Sequence, residues 1–238
     1  MKIICLFTPL VYSLDTIHKL QRHKHTLIKQ FFIPKTNNQK KYNDLLNNEK
    51  IKLIISVGSA GTGKTAFACQ SAILKLEHNE FNKILITRPV VSVDEDIGFL
   101  PGNLNKKMAP WMRPIMDIFS ECDFDKNKCV EISPLGFMRG RTFKDCFIIA
   151  DEMQNSTPSQ MLMLLTRIGE NSKMVITGDL KQTDNNMNGL KDFMDKISIY
   201  YDNDENKMNN DGIGIIYFND DDIQRSLIVS NILSIYSK

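Results

Sequence analysis

The sequence predicts an α/β fold, with a mainly parallel sheet carrying helices on both faces of a single core. Three observations predict it. Short apolar runs of strand length alternate with longer helical patterns, as in βα units. One such run, Leu53-Ile54-Ile55-Ser56-Val57, leads straight into the glycine-rich loop Gly58-Ser59-Ala60-Gly61-Thr62-Gly63-Lys64-Thr65. A second, Cys146-Phe147-Ile148-Ile149-Ala150, ends in the adjacent carboxylates Asp151 and Glu152. At 238 residues and 42% hydrophobic content the chain can bury a sizeable core, as one domain or as one with an appendage.

Residues 1–32 read as an N-terminal extension. Ile3 to Leu14 is apolar and follows Lys2, but Pro9 interrupts it and no small-residue cleavage site follows. The run is too short to cross a bilayer as a helix. A strand or packing arm in a cytoplasmic protein is the favoured reading, with organelle or secretory targeting as the alternative. His18, His23 and His25 have no cysteine or carboxylate partners close by and read as exposed basic helix rather than a metal tract.

The core is expected over 33–238. Strands are predicted at Leu53–Val57, Ile84–Thr87, Phe147–Ala150, Met174–Thr177 and Ile213–Phe218, and helices around Ala66–Leu76, Pro158–Ile168, Leu190–Lys196 and Ile223–Ile235. The segment 89–143 carries five prolines (Pro89, Pro101, Pro110, Pro114, Pro134) and no clean period, and reads as an ordered insertion rather than a second domain. The polar tract at 201–212, rich in Asp and Asn, reads as a mobile surface loop.

A net charge of +2 is too small to argue for a polyanion partner, although basic residues gather before Leu53 and acidic ones between Asp192 and Asp222. The cysteines (Cys5, Cys69, Cys122, Cys129, Cys146) show neither C-x-x-C pairing nor metal-ligand spacing, which suits free thiols in a reducing compartment.

The glycine loop fits G-x-x-x-x-G-K-[ST] (Walker A) at each fixed position, between a strand and a helix as the motif requires. Glycines let successive N–H groups converge on phosphates, and the following helix N-terminus adds its dipole. Gly58 through Ala66 are thus the nucleotide-binding candidates. Lys64 is placed to reach the β- and γ-phosphates and Thr65 to ligate Mg²⁺. Ligands of open α/β sheets sit beyond the carboxyl ends of the strands. A strand next to the loop strand therefore delivers Asp151 to the Mg²⁺ shell and Glu152 to an attacking water, a Walker B arrangement. Gln182, in Gly178-Asp179-Leu180-Lys181-Gln182, follows another strand and can sense the γ-phosphate. Gln39 can present donor and acceptor to an adenine edge, or simply begin an exposed helix. Arg141, Arg167 and Arg225 are candidates for an arginine finger or sensor.

With these residues assembled, the chain resembles the PhoH-like family, P-loop ATPases related to superfamily 1 helicases. The resemblance runs from about Ile33 to Val229 and rests on several segments. They are Gln39-Lys40-Lys41-Tyr42, the glycine loop, Thr87-Arg88-Pro89-Val90-Val91, Gly98-Phe99-Leu100-Pro101-Gly102, Arg139-Gly140-Arg141-Thr142-Phe143, Asp151-Glu152-Met153-Gln154-Asn155 and Gly178 to Asp184. The chain departs from the family pattern at Met153 and Asp94, and the C-terminal motif is reduced to Asp222-Ile223-Gln224-Arg225. The resemblance implies a single RecA-like P-loop NTPase core, ATP and Mg²⁺ as ligands and a role with RNA or another nucleic acid. Helicase activity is known for only some relatives. A single core needs a neighbour to complete its site, which a homo-oligomeric ring would supply, and the resemblance suggests a hexamer. A small-molecule or nucleotide kinase, and a nucleotide switch that does not hydrolyse, are the rival classes. Single-stranded RNA or DNA is expected near 89–143, through Lys106, Lys107, Arg113, Arg139, Arg141 and Lys144 interleaved with Phe99, Trp111, Phe137 and Phe143.

Overall fold

Strands buried at every position are covered on both faces, and β1 (Leu53–Val57), β4 (Cys146–Ala150) and β5 (Lys173–Gly178) are such strands. The structure, a computed structural model, describes residues 32–89, 104–122, 129–182 and 188–224, with positions 228 and 235. In the helix over 104–121, side chains are described from 112 to 120. With β2 (Lys83–Thr87), β3 (Val130–Ile132) and β6 (Ile213–Tyr217), these strands form one six-stranded, all-parallel sheet in the order β3-β2-β4-β5-β1-β6. The expected α/β architecture is the observed one.

Side chains alternate across the sheet, so neighbouring residues belong to different cores. Ile54, Ile86, Phe147, Ile149 and Val175 pack beneath α1 (Asn37–Asn47), α2 (Lys64–Glu77) and α3 (Leu104–Glu121). Ile55, Leu85, Ile148, Met174 and Ile176 pack beneath α4 (Pro158–Leu165), α5 (Gly189–Tyr201) and α6 (Glu205–Asn210). Among the described residues, no helix is long and apolar enough to cross a membrane.

Three expectations need correction. The acid-bearing strand does not lie beside the loop strand: β5 separates β4 from β1, with Val57 paired to Gly178 and Ala150 to Ile176. β4 and β5 are joined through α4 and pair directly, so β1 takes the far side of β5. Second, the insertion is partly regular. Met112, Ile115, Phe119 and Cys122 are buried at helical spacing on or just after α3, and β3 extends the sheet edge. Pro110 and Pro114 lie inside that helix, and proline as a helix breaker masked its period. Third, the tract 201–212 is folded. Asp204 caps α6 through Lys207 N, Met208 is buried, and the Tyr201 hydroxyl donates to Asp211 at 3.0 Å. One apolar residue in a polar run was too weak a pattern to read. Smaller shifts occur at helix ends: α4 stops at Leu165, and α5 continues to Tyr201. The helix expected at Ile223–Ile235 and the extension before residue 32 lie largely or wholly outside the described residues.

Lys173 opens β5 and is almost fully buried, with its ammonium donating to the carbonyls of Leu45 (3.4 Å), Leu46 (2.8 Å) and Asn48 (2.9 Å). Those carbonyls close the C-terminus of α1, where a cation is favoured. Burial nevertheless pushes the Lys173 pKa down from 10.5 to about 7. Between those values the unfolded chain holds a proton the folded chain has released, so stability rises with pH across that window and is flat below it. Urea unfolding of the parent and of Lys173→Met is expected to show the parent gaining relative to the variant from about pH 7 to about pH 9. Equal pH slopes for the two proteins would refute the burial argument.

Candidate functional site

The loop after β1 is shaped by two glycines. A Cβ on Gly58 would lie 2.6 Å from the Phe218 Cβ, because the chain leaving β6 crosses directly over it. Gly63 has a left-handed φ of +93° and a Cβ there would meet the Phe67 ring at 2.9 Å. Gly63 is also the N-cap of α2, so the first-turn N–H groups, which have no acceptor within the helix itself, lie at the loop. The Lys64 ammonium sits over the loop, donating to Gly58 O at 2.5 Å and Ser59 O at 2.8 Å. The Thr62 hydroxyl closes the turn on Ser59 O at 3.0 Å.

Asp151, at the end of β4, reaches this loop across the intervening strand. Its Oδ1 accepts from the Thr65 hydroxyl at 2.8 Å and from the Thr177 hydroxyl of β5 at 2.5 Å. Its own N–H donates to Thr87 O at 2.9 Å, which anchors it to β2. A hydroxyl and a carboxylate oxygen side by side are the hard-oxygen donors a magnesium ion takes when phosphates and water complete its shell. Among the described residues there is no cluster of three or more His, Cys, Asp or Glu able to hold a metal by itself. The concave loop, the helix N-terminus and the lysine fit a polyphosphate.

Glu152 follows in the left-handed region at φ +55°, a conformation costing a non-glycine residue about 1 kcal/mol. The turn swings its carboxylate away from the strand. Oε2 accepts from Gln154 Nε2 at 2.5 Å, and Oε1 lies 3.6 Å from Arg88 Nη2 at the end of β2. Gln154 is buried, and its Oε1 accepts from Asp179 N at 3.1 Å. Gln182 is exposed in the turn beyond β5, with its N–H on Asp179 O at 3.3 Å. The structure therefore groups Lys64, Thr65, Asp151 and Glu152, and joins the turn carrying Gln182 to them through Gln154.

Gln39 takes a different place from the adenine-facing one. It is buried, its Oε1 accepts from Lys35 N (2.8 Å) and Thr36 N (3.3 Å), and its Nε2 donates to Thr62 O (3.2 Å) and Asp222 O (3.4 Å). Both ends of the amide are engaged in scaffold. Arg141 and Arg167 are not brought to the loop. They gather near the Phe143–Ile168 bridge, before β4 and β5 begin and away from the carboxyl ends of the strands. Arg141 pairs with Glu131 at 2.6 Å and stacks over the Phe143 ring at 4.7 Å. The Arg141 hydrogen bond, with help from Lys83, holds the Glu131 carboxyl below its ordinary range. Arg167 spends its guanidinium on Met163 O, Arg141 O and the Thr166 hydroxyl. Arg225 lies outside the described residues.

Reading the sequence missed Arg88, Thr177 and Gln154 as parts of the site. Arg88 stands in a Thr-Arg-Pro segment directly after a strand, and Gln154 lies two residues past the acidic pair. Thr177 carried no signal of its own, since its role depends on strand order.

Residues 32–237 match the family model described as PhoH-like protein. The chain belongs to the PhoH-like family. It is 37% identical over 211 residues to a PhoH-like protein of Bacillus subtilis, covering 86% of this chain and 63% of that one. It is likewise 37% identical over 201 residues to the Protein PhoH of Escherichia coli K12, covering 79% of this chain and 54% of that one. The chain thus spans little more than half the length of such relatives. Among solved structures, the Pif1 helicase of Candida albicans aligns with a TM-score of 0.32 and 15% identity, over 63% of this chain and 34% of that one. A likeness of that size carries no weight for fold or function. Family and sheet order together make this a P-loop nucleotide-binding core.

Arg167→Ala is expected to destabilise the protein by about 1 kcal/mol in chemical unfolding, since Arg141 O loses its donor while Met163 O keeps the Thr166 hydroxyl. The loss should be independent of protein concentration. A variant of parent stability would remove the scaffold assignment.

Proposed function

We propose that this chain binds ATP with Mg²⁺ and hydrolyses it, and that turnover serves the handling of a nucleic acid, single-stranded RNA before DNA. One observation carries the hydrolytic part: the Thr65 hydroxyl meets Asp151 Oδ1 at 2.8 Å, with Glu152 as the next residue. In this reading the α2 N-terminus and loop amides bind the phosphates, and Lys64 moves from loop carbonyls to phosphate oxygens. Thr65 and Asp151 hold the magnesium ion, which when bound with the nucleotide neutralises charge on the β- and γ-phosphates. Glu152 orients a water and accepts its proton. Gln182 contacts the γ-phosphate side and Gln154 passes the state of that turn to Glu152. Buried free thiols at Cys69, Cys122 and Cys146 suit a reducing, cytoplasmic setting.

A single core leaves the phosphoryl group open on one side, and a head-to-tail ring closes it with a neighbour. In that ring Arg225 is the first candidate to act in trans; to do the same, Arg141 would have to leave Glu131 and the Phe143 ring, and Arg167 its backbone carbonyls. For the polymer, Arg139 is exposed and its near neighbour Phe137 is 62% exposed, a cation and an open ring that support phosphate contact with stacking. Arg113 is exposed on α3, which packs on the other face of the sheet, and Lys144 pairs with Glu170 at 3.0 Å. Phe143 is taken out of that surface, since it is buried beneath Arg141. Phe99, and the side chains of Lys106, Lys107 and Trp111, lie outside the described ones.

Lys64→Ala is expected to lose ATP hydrolysis while keeping its fold by circular dichroism. Glu152→Gln should retain bound ATP without turnover, and mixing Lys64→Ala with Arg141→Ala subunits should restore part of the activity if Arg141 acts in trans. Normal turnover by folded Lys64→Ala would end the active-site assignment. ADP release that requires an added small-molecule acceptor, with the phosphoryl group recovered on that acceptor, would instead make the protein a kinase.

Labelled single-stranded RNA should bind at low salt and lose affinity steeply as salt rises, by about 0.7 log unit per log of salt for each phosphate contacted. No binding at low salt, or binding insensitive to salt, would remove the polymer from the reading.

A further inference from the structure

The C-terminal turn after β6 is fastened to the P-loop by one carboxylate. Asp222 is 1% exposed, yet its side chain faces three donors: the Thr36 hydroxyl on Oδ1, with Asn38 Nδ2 (2.8 Å) and Asn219 N (2.9 Å) on Oδ2. Burial alone would raise the carboxyl pKa; bonds from Asn38, Thr36 and Asn219 overcome it and hold Asp222 below its ordinary value. Thr36 is the N-cap of α1, in a reciprocal capping box with Gln39. The carboxylate thereby joins a turn near the C-terminus to a helix N-terminus 186 positions away in sequence.

This junction bears on the loop through its carbonyls. Gln224 N, two residues past Asp222, donates to Gly61 O at 2.9 Å. Gln39 Nε2 donates to Thr62 O at 3.2 Å, and the Tyr42 hydroxyl of α1 donates to Lys64 O at 3.1 Å. In a planar trans peptide the C=O and the following N–H point in opposite directions. Holding the carbonyls of Gly61, Thr62 and Lys64 outward therefore turns the N–H groups of Thr62, Gly63 and Thr65 toward the concavity. Converging N–H groups are what bind an anion there.

We propose that Asp222 is a positioning residue for the nucleotide, acting through Thr36, Gln39 and Gln224 to preset the P-loop amides before any phosphate arrives. The inference deepens the nucleotide-binding reading and rests on it. Because the clamp involves ground-state geometry, its loss weakens binding more than the chemical step. The turn from Asn219 to Gln224 is tied to the loop by these bonds, so a partner that displaced it would also lower nucleotide affinity.

The test compares Asp222→Asn, Asn38→Ala and Thr36→Ser with the parent. Two quantities are measured: equilibrium binding of a non-hydrolysable ATP analogue, and amide hydrogen exchange across residues 58–65 without nucleotide. Asp222→Asn turns an acceptor into a donor facing other donors and is expected to weaken binding about tenfold, the worth of a charge-assisted hydrogen bond. Exchange over 58–65 should quicken, and kcat at saturating ATP should change less than KM. Asn38→Ala should show a smaller effect in the same direction, and Thr36→Ser, which keeps the hydroxyl, should restore parent values. If Asp222→Asn fails to fold, Asn38→Ala carries the test. Parent-like affinity and exchange in folded Asp222→Asn or Asn38→Ala overturns the proposal, as does a loss confined to kcat. If the parent itself fails to bind the analogue, the nucleotide reading falls while the exchange comparison still reports whether the clamp exists.

Discussion

A single carboxylate oxygen holds the site together. Asp151 Oδ1 accepts one hydroxyl from the loop helix and one from β5, so three chain segments meet at one atom. β4 and β1 are not neighbours, so the acid reaches Thr65 across the intervening strand, and the Thr177 hydroxyl of that strand donates to the same oxygen. A residue without a donor at the end of β5 would remove one of the two hydroxyls that fix the carboxylate. The rest of the arrangement follows. Gly178 carries the chain onward, the Asp179 amide meets Gln154, and Gln154 steadies Glu152.

Much of this was legible in the sequence, and the reasons are specific. The strand–loop–helix around Lys64 is local chemistry with fixed spacing, and the buried strand ending at Asp151 is a run whose apolar content has no other use. Neither required knowledge of which strands pair. What failed was whatever depended on pairing. Placing β4 beside β1 was an inference from contiguity, while the crossover through α4 put β5 between them. The helix at 104–121 hid behind Pro110 and Pro114, and β3 is three residues long, too short to display alternation. Gln39 was visible as a chemical group but not as a partner. Its capping relation with Thr36 is a local signal that was there to be read, whereas its bond to Thr62 O is tertiary.

Arginine was the least predictable residue type here. A guanidinium is equally at home on a phosphate, a carboxylate, an aromatic face or a backbone carbonyl, and composition cannot choose among them. In this protein Arg141 takes a carboxylate and a ring, Arg167 takes carbonyls, and Arg88 stands beside Glu152. Only the fold separates these uses, because only the fold says which end of the sheet each arginine occupies.

The buried thiols have a consequence of a different kind. Burial drives the Cys146 pKa up to about 12 and raises that of Cys69 well above its ordinary value, so neither is a thiolate at neutral pH. Cys146 lies at the start of β4 and Cys69 in the middle of α2, in the two cores on opposite faces of the sheet. A thiol sealed in this way meets a reagent only when its layer opens. The two cysteines are therefore clocks built into the two halves of the nucleotide core, and differing rates of modification would reveal which face of the sheet breathes first.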